Sequence, residues 1–63
     1  MNELPPRQAQ IAGLVAAGLT EAEIGRRLGI TRNTVKNHKT IVYRKLGVRN
    51  AVELTLALRE ASA

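Results

Sequence analysis

Apolar residues recur along this chain at intervals of three and four and never settle into alternation, so the pattern is helical throughout. Ile11 is followed by Leu14 and Val15, a stripe that Gly18 closes off. Pro5 and Pro6 stand where a helix can begin, because an early helical position needs no amide donor. A first helix is therefore predicted over about 6–17. Thr20 and Glu23 form a capping box, in which each side chain accepts from the other's backbone amide. Ile24 and Leu28 then share one side of a short second helix, about 21–28, stopped by Gly29. Thr31 is placed to cap a third helix over about 32–46, with Val35, Val42 and Leu46 on its inner side and Gly47 at its end. Asn50 is a plausible cap for a fourth helix, about 51–61. The expected fold is all-α, four helices in a single domain spanning residues 1–63. Gly13 sits badly in the first helix, where glycine costs about 1 kcal/mol relative to alanine. It either admits a close helix neighbour or is simply a weak point.

Composition narrows the chemistry. A chain of 63 residues without cysteine has no disulfide or thiolate metal site to hold it. One histidine and no aspartate leave little for a metal cage or an acid–base pair, so neither a cofactor nor an enzymatic activity is expected. With Tyr43 the single aromatic residue, the core must come from Leu, Ile, Val and Ala. No apolar run approaches the roughly 20 residues that cross a bilayer, and no signal-peptide pattern is present, so a cytoplasmic location is the default expectation.

The formal net charge of +5 is unevenly spread. Arg26, Arg27, Arg32, Lys36, Lys39, Arg44, Lys45 and Arg49 follow one another with no acid between them, while every glutamate lies on the flanks. Such a block suggests one surface for a polyanion. Within it, Gly25 is a small residue that lets another helix come close, and Gly29 can take the left-handed backbone of a tight turn. Val35 is placed to pack back on the second helix. Together these spacings read as a helix-turn-helix over about 20–46, whose second helix enters the DNA major groove.

The chain resembles the DNA-binding domain of the LuxR/GerE-type bacterial transcription regulators. The matching stretches are Leu4 and Arg7, Ala17-Gly18-Leu19-Thr20, Glu23-Ile24, Arg27-Leu28-Gly29-Ile30-Thr31, Thr34-Val35-Lys36-Asn37-His38, and Tyr43-Arg44-Lys45-Leu46-Gly47-Val48-Arg49-Asn50. The resemblance implies a sequence-specific regulator of transcription, bacterial or phage, that binds double-stranded DNA as a homodimer. Its third helix would be the reader and its fourth a dimerisation surface. Base-edge contacts map onto Lys36, Asn37 and Thr40, and Asn33 shares their side of the helix. The chemistry suits the groove: lysine donates to guanine, asparagine pairs bidentately with adenine, and threonine bonds or touches a thymine methyl. Five positions depart from the family pattern. Pro5 replaces a threonine cap and Gln8 a glutamate, which together predict a frayed start to the first helix. Lys39 stands where an apolar residue is common and Ile41 where a polar one is, so the buried side of the third helix is open to rotation. Ala51 replaces a frequent arginine.

Phosphate contacts are expected from Thr20, Thr31 and Thr34 at helix N-termini and from Arg32, Arg44, Lys45 and Arg49, with Lys39 a further candidate. His38 leans towards the core edge, where an imidazole bonded to backbone is expected ahead of a pH switch. Tyr43 is expected to pack on a neighbouring helix. The fourth helix carries two apolar rows, Ala51, Leu54 and Leu58 in one and Val52 and Leu56 in another. The second row, with Arg59, is the candidate dimer contact. Two rival readings stay open. The promoter-reading terminal region of a sigma factor is similar over Leu4-Pro5-Pro6-Arg7 and Leu28-Gly29-Ile30-Thr31, and it would bring RNA polymerase in as partner. A small helical protein-interaction module would use the fourth helix and bind no duplex. The sequence fits a stand-alone regulator and a C-terminal domain cut from a longer one equally well.

Overall fold

The computed structural model describes residues 4–62. Its elements are α1 (Pro6–Ala16), α2 (Glu21–Leu28), α3 (Arg32–Leu46) and α4 (Ala51–Ser62), with no strand among the described residues. Observed and predicted boundaries agree to within one residue. Met1 to Glu3 and Ala63, the two ends of the expected 1–63 domain, lie outside the described residues.

Local chemistry explains where each helix stops. Gly18, Gly29 and Gly47 all have positive φ, of 95°, 69° and 68°. Each lets the chain fold back so that two amides reach the last free carbonyls. After α1, Gly18 N–H donates to Val15 C=O and Leu19 N–H to Leu14 C=O, at 3.0 and 3.1 Å. The same closure ends α2, where Ile30 N–H donates to Gly25 C=O at 3.0 Å, and α3, where Val48 N–H donates to Tyr43 C=O at 3.0 Å. The starts are equally legible. Thr20 Oγ1 accepts from Glu23 N–H at 3.1 Å while Glu23 Oε1 accepts from Thr20 N–H at 2.9 Å, completing the box. Thr31 Oγ1 accepts from Thr34 N–H at 3.1 Å and meets the Thr34 hydroxyl at 2.8 Å. Asn50 Oδ1 accepts from Glu53 N–H, and Glu53 reaches past the cap to take Arg49 N–H, both at 2.9 Å. Only α1 starts without a side-chain cap and without an acid in its first turn, as Pro5 foretold.

Every helix sends at least one side chain into a single core: Ile11, Ala12 and Val15 from α1, Ile24 from α2, Val35 and Val42 from α3, and Leu54 from α4. Leu46, Tyr43, Leu58 and others pack around these at partial burial. α1 and α3 pack on each other; α2 and α4 each pack on both of them, and α2 and α4 do not approach one another. Tyr43 therefore packs, as expected, and the Lys39 ammonium lies 5.9 Å from its ring centre.

The structure corrects or narrows four of these readings. Gly25 does make room, first for the backbone of the following turn and then for the start of α3: a Cβ there would lie 2.8 Å from Ile30 O and 3.5 Å from Arg32 N. Gly13 has no close neighbour, which leaves the second of its two readings, the weak point. The inner row of α4 is Leu54 and Leu58 alone; Ala51 is exposed because it sits in the first turn, beyond the reach of the core. A fourth concerns His38. Its imidazole is half-buried at the core edge, but its buried Nδ1 has no hydrogen-bond partner.

Candidate nucleic-acid interface

α2 and α3 are joined by Gly29, Ile30 and Thr31 alone, the three-residue turn of a helix-turn-helix. Buried Gly25 seats this turn against α2, and buried Ile24 and Val35 fix the two helices to the common core. With Val35 and Val42 inward, α3 cannot roll, and its opposite side is committed to solvent. At about 100° per residue, Asn33, Thr40, Arg44 and Ile41 all fall within about 60° of the line through Asn37. Lys36 flanks this strip at about 100°. All six are exposed. The departures at Lys39 and Ile41 therefore leave the buried side where Val35 and Val42 put it: Ile41 is 40% exposed and Lys39 is half-buried.

The residues predicted from sequence to meet bases thus lie together on one surface. The side chains of Asn33, Asn37 and Arg44 make no hydrogen bond or ion pair among the described residues, so their donors and acceptors are available. Thr40 is partly engaged: its hydroxyl donates to Lys36 C=O at 3.0 Å, one turn back. Its methyl and both oxygen lone pairs remain available.

The predicted phosphate contacts divide. Thr20 and Thr31 are exposed at the starts of α2 and α3, with Thr34 half-buried behind Thr31. Arg44 lies on the strip itself. Lys45 leans away from it, donating to Gln8 Oε1 of α1 at 3.2 Å. Arg49 lies beyond α3, in the turn before α4. Arg32 is open to solvent, with its Nε 3.8 Å from Glu21 Oε1. Lys39 is the residue that does not join them. Its ammonium is 2.8 Å from Glu21 Oε2, and the side chain is largely covered. Lys39 ties α3 to the first turn of α2 instead of facing outward.

Glu21 is the participant that sequence reading passed over. It lies 18 residues from Lys39 along the chain (39 − 21), so no local spacing links them. Its carboxylate borders a shallow depression shared with Arg32, Asn33 and Lys36. The hydrogen bond from Lys39 holds its pKa below the ordinary 4.5, against a smaller opposing effect of desolvation, and the nearby charges of Lys39, Arg32 and Lys36 act the same way. Glu23 is also lowered, by its hydrogen bonds with the Thr20 backbone and side chain.

On α4, Val52 and Leu56 are 72% and 51% exposed, and Arg59 is exposed beside them. They form the apolar row that the core leaves unused. No described helix is long and apolar enough to cross a membrane.

A tight two-helix unit with a free polar strip, set in a chain of net charge +5, defines a helix-turn-helix domain of the DNA-binding, transcription-regulating class. Comparison with protein families agrees. Residues 2–58 match the model of GerE, described as bacterial regulatory proteins of the luxR family, and the chain belongs to that family. Among curated proteins it is 45% identical over 61 residues to the two-component response regulator PprB of Pseudomonas aeruginosa, covering 97% of this chain and 22% of that one. It is 42% identical over 53 residues to the nitrate/nitrite response regulator protein NarL of Escherichia coli, covering 84% of this chain and 24% of that one. The chain thus spans about a quarter of the length of these relatives. No solved structure matches it.

Proposed function

We propose that residues 1–63 act as one sequence-specific reader of double-stranded DNA that regulates transcription, with α3 lying in the major groove. The observation that carries this reading is the outward strip of α3, where Asn33 and Asn37 keep unengaged side-chain amides beside the exposed cations Lys36 and Arg44. A major groove about 12 Å wide admits a helix with its side chains. In it, Lys36, Asn37, Thr40 and Asn33 meet base edges. Thr20, Thr31 and Thr34 bring the N-terminal turns of α2 and α3 to phosphates, and Arg32, Arg44, Lys45 and Arg49 neutralise the backbone on either side. Lys45 does so by exchanging Gln8 for a phosphate. Val52, Leu56 and Arg59 pair two copies through α4, which places two half-sites about one helical turn apart.

Selection from a random duplex pool tests this. The folded protein is expected to enrich a motif. Lys36→Ala and Asn37→Ala are expected to relax the preferred base at particular positions, each by about 1–3 kcal/mol of discrimination. A pool that shows no enrichment, or a motif that both variants leave unchanged, removes the reading.

A further inference from the structure

We propose that Ile41 is a specificity-determining residue that reads the C5-methyl of a thymine; this rests on the reading of α3 as the groove helix. Three large apolar side chains are markedly exposed among the described residues, and two of them, Val52 and Leu56, belong to α4. The third is Ile41, at 40%. A single exposed isoleucine ordinarily needs no explanation. This one stands within the polar strip, one turn after Asn37 and about 40° around the helix from it. Arg44 lies on the same strip.

Two physical arguments fix what it can touch. The core has no use for it, because Val35 and Val42 hold the opposite side of α3. Pressed against the sugar–phosphate backbone, an isoleucine would strip water from anions and return nothing. The major groove offers one apolar group, the thymine methyl. A β-branched side chain on a helix is also already confined to essentially one rotamer, so docking it against that methyl orders little that was free. Ile41 lies about 6 Å along the helix from Asn37. With base pairs stacked about 3.4 Å apart, the thymine belongs about two base pairs from the position Asn37 reads.

The test uses the selected duplex with each thymine replaced in turn by deoxyuridine, which removes the methyl and nothing else. Affinities are measured for the wild-type chain and for Ile41→Ala, a surface change that the core does not feel. At one thymine, about two base pairs from the position relaxed by Asn37→Ala, the wild type is expected to lose affinity about fourfold, the worth of one buried methyl. Ile41→Ala is expected to be indifferent to the same replacement, while Ile41→Val keeps part of the response. Equal sensitivity of wild type and Ile41→Ala at every thymine overturns the inference, as does a motif with no thymine there. Either result leaves the groove reading standing, whereas absence of any enriched motif takes both down.

Discussion

The same chemical change, glycine to alanine, is expected to have opposite effects at two helical positions of this domain. At Gly13 the added methyl meets nothing within 4 Å. Alanine then supplies only its helix propensity, about 1 kcal/mol over glycine in a helix interior. At Gly25 the same propensity is available, but the Cβ would stand 2.8 Å from the Ile30 carbonyl oxygen. That oxygen belongs to a turn clamped by the Ile30–Gly25 hydrogen bond and the left-handed Gly29, so it cannot swing aside as a side chain would. Overpacking of this kind costs about 1–3 kcal/mol. The net effect at Gly25 runs from near zero to about 2 kcal/mol destabilising, and the two variants should differ by at least about 1 kcal/mol. In a domain this small, 1 kcal/mol moves Tm by roughly 4–8 °C. Thermal unfolding followed by circular dichroism therefore separates them: Gly13→Ala melts above the wild type and Gly25→Ala at or below it. Equal increases in both variants would refute the assignment of Gly25 as the seat of the turn. Gly25→Ala should also weaken specific DNA binding, because the turn it pushes open is what aims α3.

Other outcomes follow from the same geometry. Thr20→Ala removes one half of the capping box and is expected to cost about 1 kcal/mol, read by chemical denaturation. Glu21 and Glu23 both hold their carboxylates below the ordinary 4.5, so the stability they add is present above that value and is lost as pH falls through their lower folded values. Melts taken from about pH 6 down to about pH 3 should show a falling Tm, and Glu21→Gln should fall less steeply. On DNA, Glu21→Gln removes an anion beside Arg32 and Lys36, and is expected to raise affinity at every sequence rather than at one. Arg44→Ala should flatten the slope of log affinity against log salt by about 0.9, the signature of one lost phosphate contact. Val52→Lys with Leu56→Lys should shift sedimentation towards the monomer and leave the fold intact, since neither side chain serves the core.

What could be read from the sequence was whatever is decided within one helical turn. Thr20 with Glu23, Thr31, and glycines 18, 29 and 47 mark helix ends through short-range bonds, and the helices follow from them. The outward strip was also legible, because Val35 and Val42 fix the inward side and the rest follows by rotation. Contacts between distant elements were not. Glu21 with Lys39, and Gln8 with Lys45, join residues that no periodicity relates, and the first of these turned a supposed phosphate ligand into an internal tie. The turn carbonyl of Ile30 that lies nearest to Gly25 was missed for the same reason: smallness shows that something approaches, not all of what does. Ile41 was noticed as an odd residue, and only the packing of its opposite side showed that it faces outward.

The most direct measurement is a nuclear magnetic resonance titration of the labelled domain with its selected duplex. With α3 in the groove, side-chain amide signals of Asn33 and Asn37 and backbone amides from Thr31 to Arg44 are expected to move most. Contacts to base protons are expected from Lys36 and Asn37. Large changes confined to Val52–Arg59, with the α3 signals left in place, would contradict it.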